Sequence, residues 1–233
     1  MPHGPISIET SATALHYGIS CYEGISVVKN SETDKLQAFR VEEHLESLRA
    51  SSEHLDMPTF DNNEMVECLK QLVQLDKEWI DCMGEPDQFY TRITHFSTDK
   101  TLGVRTPQFT KLVALLNPIQ LKSAPLSLKC STQAKNWPLG HGSFRISGNM
   151  GPLVPAVTDA KNNGFDDVLW LLDGYIKECT VLNVFILQQS RFGWMELITP
   201  PQDTCIMNGV TRQTILDMKD HIETTFKVKV EER

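Results

Sequence analysis

Glycine recurs every few residues through residues 140–152, which read Gly-His-Gly-Ser-Phe-Arg-Ile-Ser-Gly-Asn-Met-Gly-Pro. No regular helix or strand runs through such a stretch, because glycine lets the backbone turn tightly and approach other groups closely. The fold must therefore be built from elements on either side of it. Taken alone, the stretch reads as an irregular surface loop. Arg145 is its one long side chain. It is not a phosphate loop, since no Lys-Ser or Lys-Thr pair follows the glycines at the required spacing.

Around this loop the chain has 233 residues, enough for one large domain or two small ones with a real core. Hydrophobic residues make up 40% and charged residues 22%, as in an ordinary soluble globular protein. A net charge of -8, with no basic cluster interleaved with aromatics, argues against nucleic acid or an anionic membrane as partner. Cys21, Cys68, Cys82, Cys130, Cys179 and Cys205 are scattered, without zinc-type spacing. Neither a secretory nor a mitochondrial leader pattern opens the sequence, and no apolar run is long enough for a membrane helix. A reducing, cytoplasmic location is expected.

In chain order, residues 6–11 and 25–29 read as short strands, with His16-Tyr17-Gly18 and Tyr22-Glu23-Gly24 between them. Residues 36–39 form a third strand beyond a polar turn. Val41, Leu45, Leu48 and Leu55 recur at helical spacing and predict a helix over 41–56. Asp61 with Glu64 three residues on marks the start of the next helix. Residues 89–96 and 111–116 complete a first unit, and the proline-bearing stretch 117–125 reads as a linker. The second unit comprises strand 126–131, a helix near 153–162 closed by Gly164, strands 167–172, 181–188 and 195–199, a helix over 211–223 and strand 226–230. The expected class is α+β, with a small domain over 1–118, a linker over 119–125 and a large domain over 126–233.

An ordered set of short stretches gives this pattern a family. These are Leu15-His16-Tyr17-Gly18, Tyr22-Glu23-Gly24, Phe39-Arg40, Phe89-Tyr90-Thr91-Arg92, Leu102-Gly103-Val104 and Gly148-Asn149-Met150-Gly151-Pro152, followed by Val168-Leu169-Trp170-Leu171, Glu178 with Asn183-Val184-Phe185, Thr199-Pro200-Pro201 and Gly209-Val210-Thr211-Arg212-Gln213. Together they resemble the eukaryotic branched-chain aminotransferases, fold type IV enzymes that use pyridoxal phosphate. The resemblance implies a two-domain fold type IV architecture, here a small α/β domain and an incomplete large β-barrel-like domain. It also implies a cofactor held between the two domains, a dimer, and amino transfer between leucine, isoleucine or valine and 2-oxoglutarate.

The chemistry of such a site needs a lysine to link the cofactor, a carboxylate facing its ring nitrogen, and donors for its phosphate. Glu178 lies at the family's ring-facing glutamate; its competing reading is a solvated turn residue beside Lys177. Tyr17, Tyr22, Tyr90 and Arg92 match the positions lining the branched-chain pocket and holding the substrate carboxylate; core aromatics and an exposed arginine are the alternative. Ile206 sits where backbone N–H groups reach the phosphate. The linking lysine is replaced by Arg145, and the phosphate arginine by Ser47. Arginine offers no free amine. Lys135 and Lys161 are the nearest lysines, each beyond a structural element.

Relative to the family the chain is also short at both ends. It is expected to lack transamination or to be severely impaired in it, with no cofactor attached through position 145. Two other readings stay open. One is an active enzyme using non-covalent pyridoxal phosphate or another lysine. The other is a non-enzymatic dimerising or binding module, as a homodimer or paired with a full-length relative. No metal site is expected, since the seven histidines show no paired ligand spacing.

Overall fold

The computed structural model describes residues 4–30, 32–33, 35–78, 88–119, 124–131 and 133–233. Its contacts divide into two compact units: Met1–Ser123 with Arg145–Gly148, and Ala124–Phe144 with Asn149–Arg233. The architecture is mixed α and β. Among the described residues no helix is long and apolar enough to cross a membrane.

The first unit contains α1 (Thr13–Tyr17), β1 (Ser20–Lys29), β2 (Leu36–Ala38), α2 (Val41–His54), α3 (Asn62–Leu75), β3 (Gln88–Ser97) and β4 (Thr110–Ile119). The strands form one antiparallel sheet in the order β2-β1-β3-β4. Alternation along β1 puts Cys21, Ile25 and Val27 on its buried face, with Glu23 among them. Leu45 and Leu48 of α2, Leu69 of α3 and Ile93 of β3 pack against Cys21 and Ile25. The Asp61 side chain caps α3 by accepting from Glu64 N–H at 2.9 Å, as the sequence signal requires.

Three expectations for this unit change. Residues 6–11 are not a strand; Ile6 is exposed, and no described strand pairs with that segment. Tyr22-Glu23-Gly24 lies inside β1 rather than between strands, because β3 supplies a continuous partner from Ser20↔Phe96 to Val27↔Phe89. β4 continues through Asn117 and Pro118 into the stretch read as linker, paired with Tyr90 and Phe89. Proline is tolerated there because β4 is an edge strand, where one side needs no ladder donor. The rest of that stretch up to residue 123 lies outside the described residues.

The second unit holds β5 (Leu128–Ser131), α4 (Val154–Asn162), β6 (Asp167–Leu172), β7 (Tyr175–Cys179), β8 (Ile186–Gln189), β9 (Met195–Thr199), α5 (Val210–Asp217), α6 (Lys219–Phe226) and β10 (Val228–Glu232). They build two three-stranded sheets, β5-β6-β7 and β10-β9-β8, which among the described residues are not closed into a barrel. α4 is the crossover between parallel β5 and β6, and Leu153 and Ala160 pack with Val168 and Trp170 of β6. Gly164 takes a φ of +82° just beyond α4, the left-handed stop expected there.

Two further expectations are corrected. The apolar run 181–188 is a strand only from Ile186. Before it the chain turns, with Cys179 N–H donating to Leu182 C=O at 2.8 Å, and passes from one sheet to the other. The helix expected over 211–223 is two helices, because Met218 leaves helical geometry at φ -89° and ψ 6°.

Gly24 is demanded by a close approach. A Cβ there would lie 1.7 Å from the Tyr90 hydroxyl oxygen and 2.6 Å from its Cε2. Gly24→Ala is therefore expected to destabilise the chain by about 1–3 kcal/mol through overpacking. In thermal unfolding, Tyr90→Ala in the same chain should recover most of that loss; an additive double variant would refute the clash.

Candidate functional site

The first unit carries a buried charge cluster. Glu23 is fully buried on the core face of β1, where an isolated carboxylate would be costly. Arg145 meets it from the strand's side: Cys21 and Ile146 form an antiparallel bridge, and Tyr22 N–H donates to Arg145 C=O at 3.0 Å. Arg145 N–H in turn donates to Ser51 Oγ at 3.2 Å, tying the segment to α2. From this position Arg145 Nε lies 3.0 Å from Glu23 Oε2. The N–H does not point along that line, so the contact is Coulombic more than a directed hydrogen bond. Glu23 Oε1 accepts from Gly24 N–H at 2.8 Å and lies 3.3 Å from His44 Nδ1, again without hydrogen-bond alignment. Burial pushes the Glu23 carboxyl up, but His44, Arg145 and the Gly24 N–H together outweigh it, and the group sits below its ordinary value.

Tyr22, Tyr90 and Arg92 share the opposite face of β1 and β3, as the register Tyr22↔Thr94, Gly24↔Arg92, Ser26↔Tyr90 dictates. The Arg92 guanidinium carbon stacks 3.8 Å from the Tyr22 ring centroid, and Arg92 Nη1 donates to the Tyr90 hydroxyl at 3.2 Å. Burial raises the Tyr22 phenol's pKa, against the pull of Arg145 and Arg92. Tyr17 is apart from this group in its bonding: it is 41% exposed, and its hydroxyl accepts from Gly103 N–H at 3.0 Å. Ser47 is half-buried, and its carbonyl accepts from Ser51 Oγ at 2.9 Å. Arg49, two residues on, is committed elsewhere: it pairs with Glu46 and with Glu53 along the helix surface.

The second unit has its own buried pair. Glu178 ends β7 almost fully buried, which removes the reading as a solvated turn residue. Lys135 Nζ lies 2.9 Å from Glu178 Oε1 and donates to the carbonyls of Thr180 at 2.8 Å and Cys179 at 3.2 Å. Met207 N–H donates to Glu178 Oε2 at 2.9 Å, and Asn136 Nδ2 to Oε1 at 3.4 Å. Ile206 is buried, and its N–H is turned to Asp203 C=O at a long 3.4 Å. Gly209 precedes α5, where a Cβ would lie 2.1 Å from Asn183 Oδ1.

A lysine-linked pyridoxal cofactor needs an amine that can shed its proton. Arg145 cannot, and the Lys135 ammonium is buried among three acceptors; Lys161 is exposed on α4. The residue present at position 145 therefore does not fit a cofactor linked through it. Nothing in the sequence hints at the Lys135–Glu178 pair. Glu23 was missed as well, because in sequence Tyr22-Glu23-Gly24 reads as lying between strands; its place in the alternation Cys21, Glu23, Ile25, Val27 is the signal that could have found it. Among the described residues no cluster of histidine, cysteine and acidic groups could hold a metal.

Comparison with known proteins places these features in a family context. The model of the class IV amino-transferases matches residues 20–233. The cytosolic branched-chain-amino-acid aminotransferase of Mus musculus is 32% identical over 225 residues, covering 93% of this chain and 58% of that protein. The Monosiga brevicollis branched-chain-amino-acid aminotransferase is 34% identical over 224 residues, covering 93% and 57%. Other relatives are mitochondrial, such as that of Bos taurus at 31% identity. The chain thus spans just under three-fifths of the curated relatives it matches. In fold it is similar to the Escherichia coli branched-chain amino acid aminotransferase, with a TM-score of 0.81 at 22% identity over 97% of this chain and 71% of that one. It is likewise similar to the Thermoproteus uzoniensis branched-chain aminotransferase with norvaline, with a TM-score of 0.80 at 19% identity, covering 97% of this chain and 72% of that one.

Two stability outcomes follow from the buried pairs. Glu23 is depressed in the folded state, so its contribution is present above the unfolded value near 4.5 and is lost as pH falls through the lower folded value. Glu23→Gln should unfold at lower temperature at pH 7, by an amount equivalent to about 3 kcal/mol, and the gap to wild type should narrow below about pH 4.5. A gap constant with pH would refute this role. Lys135→Met should cost about 3–5 kcal/mol in denaturant unfolding, because it strands the Glu178 charge.

Proposed function

The chain belongs to the class IV aminotransferases, and from that premise we propose that it is a branched-chain aminotransferase homologue that has kept the fold without covalent catalysis. The observation that carries this reading is Arg145, a guanidinium held against Glu23 at the position where the family resemblance puts the linking lysine. A side chain protonated throughout the physiological range can neither form the linkage nor carry a proton to and from a substrate carbon. Proton transfer alone is worth about 10²–10⁴-fold in rate, so at least that much should be missing. Ser47 adds a second departure, removing a cation from the side of α2 that carries Ser51 toward Arg145.

The reading of an active enzyme with Lys135 in place of the missing lysine is disfavoured by its three bonded acceptors. A binding role, in a homodimer or beside a full-length relative in the cytoplasm, is the natural use of a retained fold. Its ligands are then branched-chain amino or 2-oxo acids, held without turnover.

Pyridoxal phosphate added to the purified wild-type chain and reduced with borohydride is expected to leave no covalent adduct by mass spectrometry. Transamination of leucine with 2-oxoglutarate should fall at least about 10²-fold below that of an active relative assayed alongside. An adduct mapped to Lys135 or any other lysine, with turnover, would overturn the proposal.

A further inference from the structure

A cleft separate from both charge clusters opens in the first unit, between the helix-covered face of the sheet and α3. Its volume is about 620 Å³, within the range that takes a small organic ligand. Ile25 of β1, Val27 of β1, Thr91 of β3 and Leu69 of α3 make its floor, and all four are buried. This is the face of β1 and β3 opposite Tyr22, Tyr90 and Arg92. The cleft stays open because the side chains around it are short. Ala38 is the cross-strand partner of Val27, and Val41, Val66 and Val73 line the helix side, where longer side chains would close the space. Along α3 and just past its end, Val66, Leu69, Lys70, Val73, Gln74 and Lys77 recur three and four apart, so one helix face supplies both apolar wall and cations.

Lys35, Lys70 and Lys77 are the exposed cations of the lining, so they stand at the mouth. Lys70 pairs with Glu67 at 2.6 Å, while Lys35 and Lys77 have no ion-pair partner among the described residues. Glu42 is the one acid in the lining, so the mouth is positive on a chain whose net charge is -8. An apolar floor gives a small hydrated ion nothing to bind, and a cationic mouth gives a neutral hydrocarbon no advantage. The two together match an amphiphile with an anionic head. Its tail takes the apolar wall out of water, and its carboxylate stays at the wet, positive rim. We propose that this cleft binds a medium-chain fatty acid, a carboxylate on an unbranched tail of about ten carbons. None of Tyr17, Tyr22, Tyr90, Arg92, Arg145 or Glu178 lines it, so the site stands apart from the proposed function.

The test is isothermal titration of the purified chain with decanoate below its micelle concentration, with hexanoate and with 1-decanol. Decanoate is expected to bind saturably. Each methylene buried is worth about fourfold in affinity, so hexanoate should bind about 10²-fold more weakly. 1-Decanol keeps the tail without the charge and should bind about tenfold more weakly than decanoate. Ala38→Phe, on the edge strand β2, fills the cleft and should weaken decanoate and 1-decanol alike, by at least about tenfold. Lys35→Glu combined with Lys77→Glu reverses the mouth charge and should weaken decanoate about tenfold while leaving 1-decanol unmoved. Circular dichroism establishes folding, and the lysine variant, confined to the surface, carries the test if Ala38→Phe does not fold. No saturable decanoate binding, equal affinity for hexanoate, or unchanged decanoate affinity in the folded variants would overturn the proposal. So would displacement of decanoate by excess 4-methyl-2-oxopentanoate, which puts the acid in the substrate site instead. A failure of the proposed function shows elsewhere, as a borohydride-trapped cofactor, so the two readings fail separately.

Discussion

A carboxylate taken wholly out of water must be met by positive charge and N–H donors, and in the first unit that demand is set by Glu23. The strand that buries it cannot answer it alone: the Gly24 N–H is the one local donor. The remaining compensation comes from His44 on α2 and from Arg145, more than a hundred residues along the chain. Much of the unit's arrangement follows. α2 lies where His44 reaches the carboxylate and Ser51 accepts the Arg145 N–H, and the segment through Ile146 docks on the free side of β1. A charge inside a core of Cys21, Ile25, Leu45 and Ile93 thus specifies one placement of distant chain, where apolar packing alone would accept several.

The second unit repeats the logic with a different cation. Glu178 is met by Lys135, an ammonium whose other bonds go to the carbonyls just beyond the end of β7. The two pairs differ in what they leave over. Lys135 has as many acceptors as an ammonium has N–H groups, so its pair is closed. Arg145 uses one edge of a fork with five donors and keeps the other edge available, which is why the same kind of burial yields a sealed pair in one unit and an open cationic edge in the other.

Much of the fold was legible because its signals are local. Asp61 with Glu64 announced α3, the spacing of Val41, Leu45 and Leu48 announced α2, and Gly164 marked the end of α4. The failures were places where tertiary pairing decides. Residues 22–24 carry a glycine and a charge, yet become strand because β3 offers a full-length partner. Residues 181–185 are as apolar as a strand but serve as the passage between two sheets. For the site, side-chain identity revealed that Arg145 cannot do a lysine's chemistry. It could not reveal what Arg145 does instead, since nothing near position 145 in sequence names Glu23, and nothing near Lys135 names Glu178.

The passage of Arg145–Gly148 into the first unit has a consequence for how the chain is made. Synthesis runs from the N-terminus, so the strands and helices of that unit emerge well before the residue that neutralises its central charge. Until position 145 has left the ribosome, Glu23 is either kept in water, with β1 and α2 apart, or protonated. The unit is therefore discontinuous in time as well as in sequence. A chain interrupted anywhere between the end of β4 and the glycine-rich loop would carry every element of the sheet and still lack the side chain that lets it close.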